Sequence, residues 1–167
     1  MRQATEHDLN DLATGAAILG TGGGGDPYIG KLLAQQAIRR NGPVTVVDPN
    51  EVPDDALVVP VAMMGAPTIM VEKLPQGDEI LRAFEAIGEY LGKPITHAVP
   101  LEAGGINSML PFVVAARTGL PLVDADGMGR AYPELQMFTG SLYGISATPM
   151  AIADDKGNVA IDRKSVV

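Results

Sequence analysis

Apolar residues recur along this chain in two rhythms, and glycine and proline mark where one gives way to the other. From Thr5 to about Leu19, the residues Leu9, Leu12, Ala13, Ala16 and Leu19 fall on one stripe of a 3.6-residue period. They predict a helix with Thr5 as N-cap and Asp8 as a weak capping-box partner. Gly20-Thr21-Gly22-Gly23-Gly24-Gly25 interrupts it, a run that no helix interior tolerates. Asp26-Pro27 then reads as the N-cap and first position of a second helix, with Ile29, Leu32, Leu33 and Ala37 inward and Gly42-Pro43 as its stop. Val44–Asp48 and Ala56–Ala62 are short apolar runs bounded by turn residues, as buried strands are, and Met63–Pro67 is read as the loop that follows. Asp78 is placed as the cap of a third helix, with Ile80, Phe84, Ile87 and Leu91 on one face and Gly92 at its end. A strand over 94–99 follows, then a helix from about Asn107 to Gly119 with Ile106, Met109, Leu110, Val113 and Val114 inward, then a strand over Leu120–Asp124. An irregular loop runs from Asp126 to Glu134. Met150–Ala153 and Val159–Asp162 flank a hairpin turn with Gly157 in the left-handed region.

This alternation predicts one α/β domain over residues 1–167, a parallel or mixed sheet with helices packed on it in layers. In such sheets ligands collect at the carboxyl ends of the strands. Those ends here read Met63-Met64-Gly65, Glu102-Ala103-Gly104-Gly105 and Asp124-Ala125-Asp126-Gly127. Three strand exits thus supply glycine and two supply carboxylates, so the functional surface is expected there.

Gly22, Gly23, Gly24, Gly25 and Asp26 are the first candidates for substrate binding. A glycine turn that opens a helix offers free N–H groups and a positive dipole end to an anion. The competing role is a tight helix–helix corner. No Gly-Lys-Ser/Thr follows, so this is not a Walker loop, and the helix before it argues against a dinucleotide fingerprint. Asp124 and Asp126 would project to one side of an extended chain. Two carboxylates so placed serve as acid and base or bind a divalent metal, unless one of them only caps an Asp-rich turn. Glu102 is expected opposite them, as a third catalytic carboxylate or as a solvated strand-end charge. Gly104, Gly105 and Asn107 are expected to touch substrate, although a residue such as Asn107 at a helix start also serves as a cap. Arg130 suits a substrate carboxylate or a nearby aspartate. A metal, if one is used, would be a divalent ion on oxygen and nitrogen ligands, with Asp124, Asp126 and His97 as candidates. His97 sits in an apolar strand, where a satisfied core histidine is the plainer reading. The Ser141 segment departs from Gly-x-Ser-x-Gly, which argues against a serine hydrolase.

Composition narrows the classes. The net charge of −8 and 4% aromatics, with no tryptophan, disfavour nucleic acid as partner. No cysteine is present for a disulfide, a thiolate metal site or a nucleophile. No run approaches a membrane span and the first residues lack a signal-peptide pattern, so a cytoplasmic protein acting on a small molecule is expected.

Three segments together carry a resemblance: Leu19-Gly-Thr-Gly-Gly-Gly-Gly-Asp-Pro-Tyr28, Glu102-Ala-Gly-Gly-Ile-Asn107 and Asp124-Ala-Asp-Gly-Met-Gly-Arg-Ala-Tyr-Pro-Glu134. They resemble the N-terminal domain of the S-methyl-thiohydantoin desulfurase family, which is associated with hydantoinase and oxoprolinase subunits. The resemblance implies action on a thiohydantoin or hydantoin-like ring, with a thiol released by hydrolytic exchange at a ring carbon. It also implies a companion C-terminal domain, since members of that family are typically about twice this length. A homo-oligomer, or a noncatalytic small-molecule or nucleotide-binding role within a hydantoinase-type assembly, is the alternative. No residue role is carried over from the family.

Overall fold

The computed structural model describes residues 1–65, 72, 73, 75 and 77–165. A five-stranded sheet is built from β1 (Arg2–Ala4), β2 (Val44–Val47), β3 (Val58–Val61), β4 (His97–Pro100) and β5 (Leu122–Val123), in the order β1-β2-β5-β4-β3. Strands β2, β5, β4 and β3 run parallel, and β1 pairs antiparallel with β2 through Arg2 opposite Val46 and Ala4 opposite Val44. The sheet is therefore mixed. Among the described residues, four helices pack with it: α1 (Asp8–Gly20), α2 (Pro27–Asn41), α3 (Asp78–Leu91) and α4 (Leu110–Thr118). A hairpin of β6 (Met150–Ala153) and β7 (Val159–Asp162) lies against α3, with Gly157 at φ +87° in its turn.

Helix α4 is the core of the molecule. Every residue from Leu110 to Ala116 is buried, which suits a segment without a charge before Arg117. Leu9, Met109, Leu110, Val44 and Val114 are among the largest fully buried side chains. Burying each stabilises the fold by about 1.5–3 kcal/mol relative to leaving it in water.

The differences from the sequence expectation are local and have causes. Strand β1 was not anticipated, because three residues at a chain end carry no readable period. Thr5 does not cap α1: its N–H and hydroxyl both donate to Asp8 Oδ2 at 2.7 Å, and His7 occupies the cap position without a side-chain bond. Helix α2 starts as expected, with Asp26 Oδ1 accepting from Tyr28 N at 2.8 Å. Ala37 is buried and Leu33 packs partly buried against the core, as expected, but the other buried positions are Gly30, Ala34 and Ile38, and Leu32 is exposed. Close approach explains that choice: a Cβ on Gly30 would stand 2.6 Å from Ile106 Cγ1. The cap of α3 is Gly77, and Asp78 instead pairs with Arg117 at 2.7 Å. The helix expected from Asn107 begins as a 3₁₀ turn over Gly105–Ser108 before α4 starts at Leu110. Strand β5 is shorter than expected and leaves Asp124 outside it. Of the loop read as Met63–Pro67, Ala66 and Pro67 lie outside the described residues.

No helix among the described residues is long and apolar enough to cross a membrane.

Candidate functional site

Four parallel strands place their carboxyl ends on one edge, and the exit of β4 is its most enclosed point. Leu101 N donates to Val61 O at 3.1 Å, which carries the chain past β3 and into Glu102. Glu102 is only 6% exposed. Its Oε1 accepts from Asn107 Nδ2 at 2.8 Å, and its Oε2 accepts from Tyr132 N at 3.1 Å. Asn107, also buried, accepts from Met63 N at 2.7 Å and donates to Met63 O at 3.1 Å. One amide thus ties the exit of β3 to the carboxylate at the exit of β4. Ser108 Oγ closes the turn by accepting from Gly104 N at 2.9 Å. Asn107 and Ser108 sit at a helix start as the sequence suggested; the Ser108 bond stays within that turn, whereas those of Asn107 reach Met63 and Glu102.

The glycine corner between α1 and α2 lies directly on this exit. Ile106 N donates to Gly24 O at 2.8 Å. A Cβ on Gly105, which has φ +52°, would stand 2.2 Å from both Gly24 O and Gly25 O. A Cβ on Gly24, at φ +75°, would meet Gly104 O at 2.6 Å and Glu102 Oε1 at 3.2 Å. The two glycine segments therefore touch backbone to backbone, and Gly23 and Gly104 leave room for Ala131. The corner also contains Thr21 in the left-handed region at φ 47°. Thr21 Oγ1 accepts from Arg130 Nη2 at 3.0 Å, and the Arg130 guanidinium stacks 5.2 Å from the Tyr132 ring centre. Among the described residues no acceptor pairs with the N–H groups of Gly22, Gly24 or Gly25. The positive end of α2 is already occupied by the Asp26 carboxylate.

The exit of β5 is built differently. Asp124 is exposed, its N–H donates to Val47 O at 2.8 Å, and its carboxylate pairs with Arg2 of β1 at 3.7 Å. Asp126 Oδ1 accepts from Met128 N at 2.8 Å and from Gly129 N, which fixes the turn that follows. Gly127 N donates to Leu101 O at 3.1 Å and so joins this turn to the residue before Glu102.

The structure thus brings together Glu102, Gly24, Gly104, Gly105, Asn107 and Tyr132, with Arg130 at the rim through Thr21. Asp124 bonds toward β1 and β2, and Asp126 bonds within its own turn. His97 is at the opposite end of β4, buried, with Nδ1 2.9 Å from Thr96 Oγ1. Among the described residues no group of three or more histidine, aspartate or glutamate side chains is placed to hold a metal ion. Asp124, Asp126 and His97 accordingly do not gather. What the sequence reasoning did not single out was Thr21, Ala131 and the Tyr132 N–H. The last two act through a methyl group and the backbone, which leaves no sequence signal. What the arrangement offers chemically is one buried carboxylate with lone pairs to spare, beside unpaired glycine N–H groups.

The model of the family described as "S-Me-THD-like, N-terminal domain" matches residues 7–164. No curated protein matches the sequence. A crystal structure of a protein from Chromobacterium violaceum is similar over the whole of this chain, with 30% identity and a TM-score of 0.86. The match covers 46% of that chain, so this chain spans less than half of its solved relative.

Proposed function

Because the chain belongs to the S-Me-THD-like N-terminal domain family, we propose that it forms part of an enzyme hydrolysing a thiohydantoin or hydantoin-like cyclic amide. The observation that carries this reading is the buried Glu102 carboxylate beside unpaired glycine N–H groups. For an S-methyl thiohydantoin, water adds to the ring carbon that bears sulfur, one of its protons goes to the adjacent ring nitrogen, the C–S bond breaks, and methanethiol leaves with the other proton. Such a step needs a base for the water and donors for the anion that forms on adding it. Glu102 is the base in this reading, and the N–H groups of Gly24 and Gly25 are the donors. Asn107 holds Glu102 in place, and Arg130 receives a ring substituent that carries a carboxylate.

Asp124 and Asp126 stand in the same proposal as further carboxylates of the reaction. A divalent metal would need ligands beyond those that Asp124, Asp126 and His97 bring together. The test is thiol release from an S-methyl thiohydantoin by the longest natural form of the protein, compared with Glu102→Gln, Asp124→Asn and Asp126→Asn. Loss of turnover in Glu102→Gln with ring binding retained supports the assignment. Full turnover in that variant removes it. Binding of the ring with no thiol release by the unaltered protein would favour the noncatalytic binding module.

A further inference from the structure

The segment that follows the β5 exit presents its largest side chains to solvent. Leu142 and Tyr143 are each 84% exposed, Ile145 is 59% exposed, and Met137 lies half open beside them. Met137, Leu142 and Tyr143 sit on two short 3₁₀ turns, Leu135–Met137 and Thr139–Tyr143, and Ile145 follows the second. Single exposed apolar residues are ordinary, but four within nine positions make a patch.

This patch is held in place by an anchor. The Phe138 ring lies where a Cβ on Gly127 would come within 2.3 Å and a Cβ on Gly140 within 2.1 Å. Thr139 donates to Gly127 O from both its N–H, at 2.8 Å, and its hydroxyl, at 2.9 Å. Ile145 N closes the far end on Gly140 O at 3.0 Å. Gly127 itself is bonded to Leu101 O, next to Glu102. The partly buried Phe138 ring, packed against Gly127 and Gly140, thus fixes the segment, while Leu142, Tyr143 and Ile145 stand in solvent.

We infer that the patch formed by Met137, Leu142, Tyr143 and Ile145 is the docking surface for a companion domain, a folded polypeptide unit with a complementary apolar face. The similar crystal structure supplies the argument for that occupant. It matches this chain from end to end, yet more than half of its own chain lies outside the match. A protein with that much additional polypeptide has a ready partner for an anchored apolar patch. Tyrosine and methionine are also among the side chains that protein interfaces favour at their centres. Through Gly127, the docked domain would be tied mechanically to the exit of β4 and so to Glu102.

The test has two parts, and neither reads turnover, so it is independent of the proposed reaction. Superposing this chain on the Chromobacterium protein and measuring exposure at the four aligned positions is expected to find them covered by the remainder of that same chain. Positions that stay open, or that only a second copy covers, would overturn the inference. In solution, sedimentation of this chain and of Leu142→Ser/Tyr143→Ser is expected to give a monomer for both, with unchanged melting temperature. A dimer that the double substitution dissolves would assign the patch to a second copy and overturn the inference. A large fall in melting temperature would also overturn it, by showing that the side chains pack within the chain.

Discussion

The exits of β4 and β5 leave one edge of the sheet side by side, each with a carboxylate within two residues of the strand end. Glu102 is enclosed, with both oxygens accepting hydrogen bonds from the protein. Asp124 stands in solvent beside Arg2, and Asp126 caps the turn that follows it. Strand position is shared, so it cannot be the cause of the difference. What differs is cover. The glycine corner of α1 and α2 bonds to the β4 exit through Gly24 O and Ile106 N, whereas Asp124 meets the short edge strand β1. A strand end becomes a site when a second backbone can approach it closely, and glycine permits that approach.

The comparison is most easily broken at Gly105. Gly105→Ala would place a methyl 2.2 Å from two carbonyl oxygens and also hold alanine at φ +52°. A loss of about 3 kcal/mol or more is expected from the combined backbone strain and overpacking. Gly129, at φ +76° with nothing within 4 Å of a Cβ, is the matched control. Gly129→Ala should lose about 1–2 kcal/mol, from backbone strain alone. Chemical denaturation of both variants reads the difference, and equal losses would mean that the close approach of the two glycine segments does not matter to stability.

Next in size is Glu102→Ala, which leaves Tyr132 N and one of the two N–H groups of Asn107 Nδ2 without an acceptor, the other keeping its bond to Met63 O. Its cost is expected at about 2–4 kcal/mol, since each orphaned donor carries a desolvation penalty. Asp126→Ala removes an acceptor from a half-exposed turn, where water replaces it, and about 1 kcal/mol is expected. Urea unfolding midpoints rank the two. A reversed order would show that the β5 exit, rather than the β4 exit, holds this edge together.

These residues also show how far the sequence could be read. The strand exits were legible because short apolar runs between turn residues have few alternatives, and Asp26-Pro27 was legible because capping is a local event. Glu102 was legible as a candidate only, since its enclosure depends on Asn107, Gly24 and Tyr132, and Tyr132 lies 30 residues away. Which role Gly22–Gly25 would take stayed open for the same reason: a glycine run announces close approach without naming what approaches. The Asp124–Asp126 pair was legible as two carboxylates at a strand exit, but not its geometry. Its same-side geometry presumes an extended chain, and β5 ends at Val123. On α2, Ala37 and Leu33 pack inward as expected, but the exposure of Leu32 was not legible, because Leu32 outweighs Gly30 in any hydrophobic pattern although Gly30 is what fits beneath Ile106.

Acid unfolding sharpens the comparison by isolating carboxylates of another kind. The Thr5 N–H holds the Asp8 carboxyl below its ordinary value, the Asn158 side chain does the same for Asp154, and the N-terminal ammonium does so for Glu51. Asp48, Asp155 and Asp162 are lowered as well, chiefly by Asn50, Lys73 and Ser165. Each of these groups is more acidic folded than unfolded. Its contribution is therefore complete above the unfolded value of roughly 4 and is lost as pH falls through the folded one. Melting temperature should decline on acidification from about pH 5 downward, and Asp8→Asn/Asp154→Asn should flatten that decline. An unchanged slope in the double variant would remove these two residues from the cause.

The smallest expected effect is at Asp124. Its pairing with Arg2 is long at 3.7 Å, and both side chains are more than half exposed. In that setting water screens the attraction, and holding two mobile side chains together costs entropy of similar size. Asp124→Asn should therefore move the melting temperature by less than about 1 °C, and raising the salt concentration should reduce even that. Its backbone N–H keeps the bond to Val47 O, so the path of the chain out of β5 survives the substitution. Thermal unfolding at low and high salt measures both points. A loss comparable to that of Glu102→Ala would mean that Asp124 is held as firmly as Glu102, and the contrast between the two exits would fail at its exposed end.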